Sequence, residues 1–300
     1  MYISSRPAFA QTITHVPLFT FQGDPLGDGF AFSVSGAGDV NGDGSDDLIV
    51  GANGDGSNVS QTGNALVFSG SDGSVLYNFA GDSVGDLFGW SVSGAGDVNG
   101  DGFDDLIVGA YQDDNNGTDS GSAWVLSGFD GSVLYNFDGD SAGDEFGWSV
   151  SGVGDVNGDG IADLIVGARR DEKNGINSGA ARVLSGSDGS VIYNFEGDST
   201  DDRFGFSVSG AGDVNGDGVS DFIVGANSQV ANIGSYAVVF VSQITILGDC
   251  NLDGEVTFFD IAAFIAVLQA GDFLEQADTN VDGEVNFSDI APFIAILQGQ

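Results

Sequence analysis

Three hundred residues can fill one large folded domain and a smaller one, and an apolar content of 41% takes the chain out of the disordered class. A formal charge of −39, from 45 acids against 6 bases, excludes nucleic acid and anionic membrane as partners, since both need Lys and Arg, and it invites cations. The single cysteine, Cys250, rules out an intrachain disulfide, and no apolar run reaches the ~18 residues needed to span a membrane.

Residues 1–16 read as an N-terminal tail. Ala8-Phe9-Ala10 before Gln11 has the small-x-small form of a secretory cleavage site, but the basic and apolar regions that should precede it are missing. The alternatives are a true start lying upstream and a chance match. Leu18-Phe19-Thr20-Phe21-Gln22 then reads as a strand and matches Leu76–Phe79, Leu134–Phe137 and Ile192–Phe195.

From there to residue 243 the chain repeats. The segment from Gly38 to Ala52 returns with its first aspartate at Asp97, Asp155 and Asp213, a step of 58 residues from Asp39 each time. The second copy shows the unit. Phe88–Ser93 alternates large and small residues, and Asp105–Gly109 is the continuous apolar run of a strand buried on both faces. Ala123–Leu126 and Ser132–Phe137 follow, separated by an Asp130-Gly131 hairpin signal. Four antiparallel strands stacked on their own copies make a propeller blade. The fold class expected is an all-β propeller of four 58-residue, four-stranded blades over residues 17–243, followed by a small α-helical module over residues 248–300. The fourth copy ends at Tyr236–Phe240 without a fourth strand, while residues 18–22 are a fourth strand without a blade. The N-terminal strand is therefore expected to complete the last blade and close the ring, leaving no open sheet edge.

Each repeat carries a loop with oxygen side chains at alternate positions and glycine where the backbone must turn. That pattern suits Ca²⁺, which takes six to eight hard oxygens; Mg²⁺ fits less well because it prefers a tight octahedron and its own waters. The expected ligands are Asp39, Asn41, Asp43 and Asp47; Asp97, Asn99, Asp101 and Asp105; Asp155, Asn157, Asp159 and Asp163; and Asp213, Asn215, Asp217 and Asp221. The carbonyls of Ser45, Phe103, Ile161 and Val219 complete the sets. The alternative is four Asx turns that close on themselves.

These repeats resemble the FG-GAP repeat of the integrin α-subunit β-propeller. Its name stands in Phe88-Gly89, Phe146-Gly147 and Phe204-Gly205, with Gly51-Ala52, Gly109-Ala110, Gly167-Ala168 and Gly225-Ala226 after the acidic loops. The first copy departs with Phe30-Ala31. The resemblance implies calcium on one face of the disc and ligands on the other. It also raises a question of closure, because the integrin propeller has seven blades. Four blades could close in one chain, form half of an eight-bladed dimer, or remain an open fragment.

Two twelve-residue loops end the chain, 29 residues apart, each followed by an apolar helix. Their spacing is that of an EF-hand. The first set is Asp249, Asn251, Asp253, the Glu255 carbonyl, Thr257 and Asp260. The second is Asp278, Asn280, Asp282, the Glu284 carbonyl, Asn286 and Asp289. Asp in place of Glu at the twelfth position, with no entering helix, resembles a type I dockerin domain. The resemblance implies two further calcium ions, six in all, and docking onto a cohesin-like partner. Phe258, Phe259 and Phe287 stand where small hydroxyl residues set cohesin choice in that family.

The connection from second to third strand varies between copies, and five of the six bases (Arg169, Arg170, Lys173, Arg182 and Arg203) lie in or beside the third. One reading pairs them with nearby acids; the other makes a site for an acidic partner such as an anionic sugar. No Ser/His/Asp set, Cys/His pair or phosphate loop occurs. The function expected is an extracellular or cell-surface calcium-binding scaffold, its propeller holding a protein or polysaccharide ligand. The alternative is a polysaccharide hydrolase or lyase, whose two carboxylates would stand ~5–9.5 Å apart.

Overall fold

The computed structural model describes residues 15–23, 27–54, 62–228 and 234–242. The chain divides into two compact units, residues 1–241 and 242–300. The expected module at 248–300, with its two loops and Cys250, lies outside the described residues.

Fifteen strands follow one another among the described residues of the first unit. The first blade is β1 (Phe30–Gly38), β2 (Asp47–Ala52), β3 (Asn64–Phe68) and β4 (Val75–Ala80). The second is β5 (Ser91–Gly96), β6 (Asp105–Ala110), β7 (Ser122–Leu126) and β8 (Val133–Asp138). The third is β9 (Phe146–Gly154), β10 (Asp163–Ala168), β11 (Ala180–Leu184) and β12 (Val191–Glu196). The fourth is β13 (Phe204–Gly212), β14 (Asp221–Ala226) and β15 (Tyr236–Phe240). Each sheet is an antiparallel meander in chain order, four-stranded in the first three blades and three-stranded in the last. β6 and β10 are buried at every residue, as their unbroken apolar runs predict. The hairpin at Asp130-Gly131 forms as the dipeptide signals, with Gly131 at φ +73° and its N–H donating to the Ser127 carbonyl at 2.9 Å.

The cores lie between blades. Val40, Ile49 and Val67 of the first blade pack with Phe88, Val92 and Leu106 of the second. The second and third meet through Val98, Ile107 and Val125 against Phe146, Val150 and Leu164. The third and fourth meet through Val156, Ile165 and Val183 against Phe204, Phe222 and Val224. The motif glycines make these junctions tight. A Cβ on Gly109 would stand 2.0 Å from the Gly147 carbonyl oxygen of the next blade, and Gly147 itself is at φ +82°. The Gly-Ala and Phe-Gly pairs are thus two halves of one contact. The small residues of the innermost strands serve a related purpose: a Cβ on Gly152 would lie 2.7 Å from the Gly94 carbonyl oxygen. They admit the neighbouring backbone. Tyr77 and Tyr135 then tie β4 and β8 to the next blade, donating to the Gly128 and Gly186 carbonyls at 2.8 and 2.9 Å.

The expected closure by residues 18–22 is not present among the described residues. These residues form no strand, and no described strand pairs with the outer edge of β15. Phe21 instead stacks on Phe68 of the first blade, ring centroids 4.0 Å apart. Phe195 packs against Phe240 with centroids 4.1 Å apart and rings tilted by 36°, so the segment lies on the first blade much as β12 lies on the fourth. It can also complete the fourth sheet only where the first and last blades meet, and their facing surfaces are uncovered. Val34 is 64% exposed where its counterparts Val92 and Val150 are 5% exposed. Val214 is 59% exposed where Val40, Val98 and Val156 are 0%, 0% and 6% exposed.

Candidate metal loops and the opposite face

The acidic loops join the first two strands of each blade. Glycine sets their path: Gly42 and Gly44 have φ +71° and +87°, and the pairs Gly100/Gly102, Gly158/Gly160 and Gly216/Gly218 repeat this. The side-chain oxygens turn inward onto loop amides. Asp39 Oδ2 accepts from Gly44 N at 2.9 Å, Asn41 Oδ1 from Asp43 N at 2.8 Å, and Asp43 Oδ1 from Ser45 N at 3.0 Å. Asp97 and Asn99 do the same for Gly102 and Asp101 at 2.9 Å each. The loops at Asp155 and Asp213 repeat the bond from the sixth-position amide at 2.8 and 2.9 Å. Asp101, Asp159 and Asp217 cap Phe103, Ile161 and Val219 through their N–H groups.

The ninth-position aspartates differ in kind. Asp47, Asp105, Asp163 and Asp221 are all 0% exposed. Asp105 accepts from Val98 N and Gly128 N, both at 2.9 Å, and so joins the acidic loop to the outer hairpin of its own blade. Burial pushes its pKa up to about 6 against those two bonds, and moves Asp47 and Asp163 in the same direction. Asp43 goes the other way, held down chiefly by the Ser71 hydroxyl. The donor set is hard oxygen throughout and anionic, which fits Ca²⁺. The Asx bonds also realise the metal-free turn, so the chain forms the loop from its own amides.

Among the described residues, three carboxylates with oxygens within 4.8 Å of one another occur at Asp82, Asp86 and Asp113, not in these loops. This group lies at the other end of the blade. Burial raises the Asp86 pKa to about 7, with Asp82 and Asp113 adding to the rise. Asp144 is its counterpart one repeat on, raised by burial to about 6 beside Asp171 and Asp140. Asp86 and Asp144 are absent from the candidate sets drawn from the sequence; their recurrence at 58-residue steps, together with Asp28 and Asp202, was the signal available.

The variable connections lie at this same end. Arg169 and Arg170 both pair with Glu145, at 2.5 and 2.8 Å. Arg182 pairs with Asp140 at 2.5 Å, and Lys173 pairs with Glu196. Arg169 also lies 3.2 Å over the Trp148 ring. Four of the five clustered bases are thus paired with acids of their own domain, as the first of the two readings expects. Beneath them runs a row of rings at one position per repeat: Phe32 to Trp90 at 4.4 Å, Trp90 to Trp148 at 4.7 Å, and Trp148 to Phe206 at 5.7 Å.

Residues 88–126 and 146–184 match the family model of the FG-GAP repeat, and residues 247–297 match that of the dockerin type I domain. The first two ranges are the second and third blades through their third strands. Integrin alpha-5 of Xenopus laevis is 31% identical over 218 residues, covering 66% of this chain and 20% of that protein. Integrin alpha-PS2 of Drosophila melanogaster is 32% identical over 214 residues, covering 64% and 15%. Integrin alpha-V of Gallus gallus is 29% identical over 216 residues, covering 65% and 20%. The chain thus spans a fifth or less of the length of these relatives. Among solved structures, the crystal structure of AofleA from Arthrobotrys oligospora aligns with a TM-score of 0.45 at 10% identity, covering 70% of this chain and 53% of that chain.

Proposed function

From a chain that carries FG-GAP repeats and a dockerin type I domain, we propose a calcium-binding, non-catalytic scaffold that works outside the cell. The propeller holds a ligand, and the C-terminal unit attaches the protein to a cohesin-like partner. The observation that carries the calcium reading is the recurrence of one loop fold four times, with a buried aspartate at its ninth position. Asp39, Asn41, Asp43 and Asp47, with the Ser45 carbonyl, would hold the ion in the first loop, and the matching residues in the other three. Bound calcium would neutralise carboxylates that otherwise repel one another and would lock the first two strands of each blade. The C-terminal sets at Asp249–Asp260 and Asp278–Asp289 would hold two more.

Binding is favoured over catalysis because the acids recur with the repeat, whereas an active site should break it. Elemental analysis of protein equilibrated in excess calcium should give six ions per chain; none would end the calcium reading. A panel of polysaccharides should show no turnover above a control in which the acidic loops are mutated. Turnover above that control would favour the hydrolase or lyase reading. Affinity capture on immobilised cohesins should retain the full chain only when calcium is present.

A further inference from the structure

The inner junctions are all built alike, and the first and last blades each present one half of such a junction uncovered. Val34 and Leu48 of the first blade are 64% and 37% exposed where Val92 and Leu106 are 5% and 0%. Val214 and Val239 of the last blade are 59% and 46% exposed where Val40 and Val67 are both 0%. The first pair belongs to the side of a blade that meets its predecessor, and the second to the side that meets its successor. Exposed apolar surface of this kind marks an interaction site. Each side is complementary to the other, not to itself.

The segment before the first blade sharpens the fit. A fourth strand touches the blade that follows it at two places. Tyr77 lies against Gly131 and Tyr135 against Gly189, where a Cβ on either glycine would stand 3.0 Å from the ring. Phe195 packs on Phe240 with centroids 4.1 Å apart. Residues 18–22 make both contacts with the first blade. Phe19 would lie 2.8 Å from a Cβ on Gly73, and Phe21 stacks on Phe68 at 4.0 Å. They hold the place of a preceding blade's fourth strand, and the last blade has three strands with no described strand beside β15. The polar links of a junction are also provided for. Asp39 N donates to Asp104 Oδ2 at 2.8 Å, and Asp104 N to the Asp39 carbonyl at 3.3 Å. Asp213 and Asp46 stand at these two positions on the uncovered sides.

We propose that a second copy of this chain docks on these faces, the last blade of each copy against the first blade of the other. β15 of one copy pairs along residues 18–22 of the other, as an added strand does at an open sheet edge. Unlike faces that meet close a ring when their rotation allows it. A single chain leaves both faces uncovered, two copies make eight blades, and three would exceed the usual four to eight. One residue departs from the pattern. Ala31, at φ +64°, keeps the backbone path of Gly89, but a Cβ on Gly89 would stand 2.1 Å from the Asn64 carbonyl oxygen of the blade before it. Tyr236 holds the Asn64 position in the last blade, so Ala31 loosens the junction between copies.

The test is light scattering on the full chain in calcium over a concentration series. A species of twice the chain mass should appear as concentration rises, and nothing larger. Val34→Asp and Val214→Asp change exposed positions, so each should keep the melting temperature of the dilute chain while weakening pairing at least tenfold. An equimolar mixture of the two should pair more tightly than either alone, because one junction of the mixed pair has both sides unaltered. Ala31→Gly should tighten pairing at least threefold. Amide exchange in β1 and β13–β15 should slow as pairs form. The proposal is overturned by a chain that stays single throughout, by growth beyond two copies, or by aspartate variants that pair as well as the parent. A mixture that pairs no better than its components, or an Ala31→Gly chain with unchanged affinity, overturns it equally.

Discussion

A buried aspartate at the end of each acidic loop is the residue on which the blade depends. Asp105 satisfies Val98 N and Gly128 N together. Asp105→Ala should therefore cost about 2–4 kcal/mol, from two orphaned buried donors and a small cavity, measured by denaturant unfolding in calcium. It should also remove one ion from the stoichiometry. The carboxylates at the other end predict a pH effect. Asp86 and Asp144 have folded pKa values raised to about 7 and about 6, so the native state binds protons that the unfolded chain has already released. Stability then falls as pH rises from about 4 through 7. Without calcium, the melting temperature should be higher at pH 5 than at pH 8, and Asp86→Asn should shrink that difference. A melting temperature that rises over this range in the chelated protein would refute the assignment.

At the scale of the strand and its neighbours, glycine does what no side chain could. Gly109→Ala drives a Cβ into the Gly147 carbonyl oxygen and should destabilise by about 1–3 kcal/mol, more if the neighbouring backbone cannot shift. Tyr135→Phe removes only the bond to Gly186 and should cost about 1 kcal/mol in the same unfolding experiment. Strand order, blade length and the loop positions were legible in the sequence because a 58-residue period repeats them four times, and the period-two and unbroken apolar patterns separate inner from buried strands. The aromatic row was not, because it needs residues of adjacent blades brought side by side. Phe32 and Trp90 are a full repeat apart in the chain and 4.4 Å apart in space. The closure failed for a related reason. Residues 18–22 carry a fourth-strand sequence, which specifies what they pack against but not which sheet's edge they join.

For the molecule as a whole, metal removal should act in two stages. The C-terminal unit of residues 242–300 has too short a sequence to bury a large core, so its folding should depend on its ions. The propeller buries continuous cores at three junctions and should outlast it. Calorimetry during chelator titration should show a first transition lost at low chelator and a second that shifts down without vanishing. A single concerted loss would mean that the two units stand or fall together.

The unequal ends of the blade row have a further consequence. Free energy in such an array is a sum of terms within each blade and terms between neighbours. An inner blade has two neighbours and an outer blade one. The outer two are not equivalent either, since Phe19 and Phe21 cover part of the first blade while no described residue pairs with the outer edge of β15. Native fluctuations should therefore run as fraying from the last blade inward. Amide exchange should be fastest in β13–β15, intermediate in β1–β4 and slowest in β6 and β10, so that the chain loosens first at the last blade in sequence.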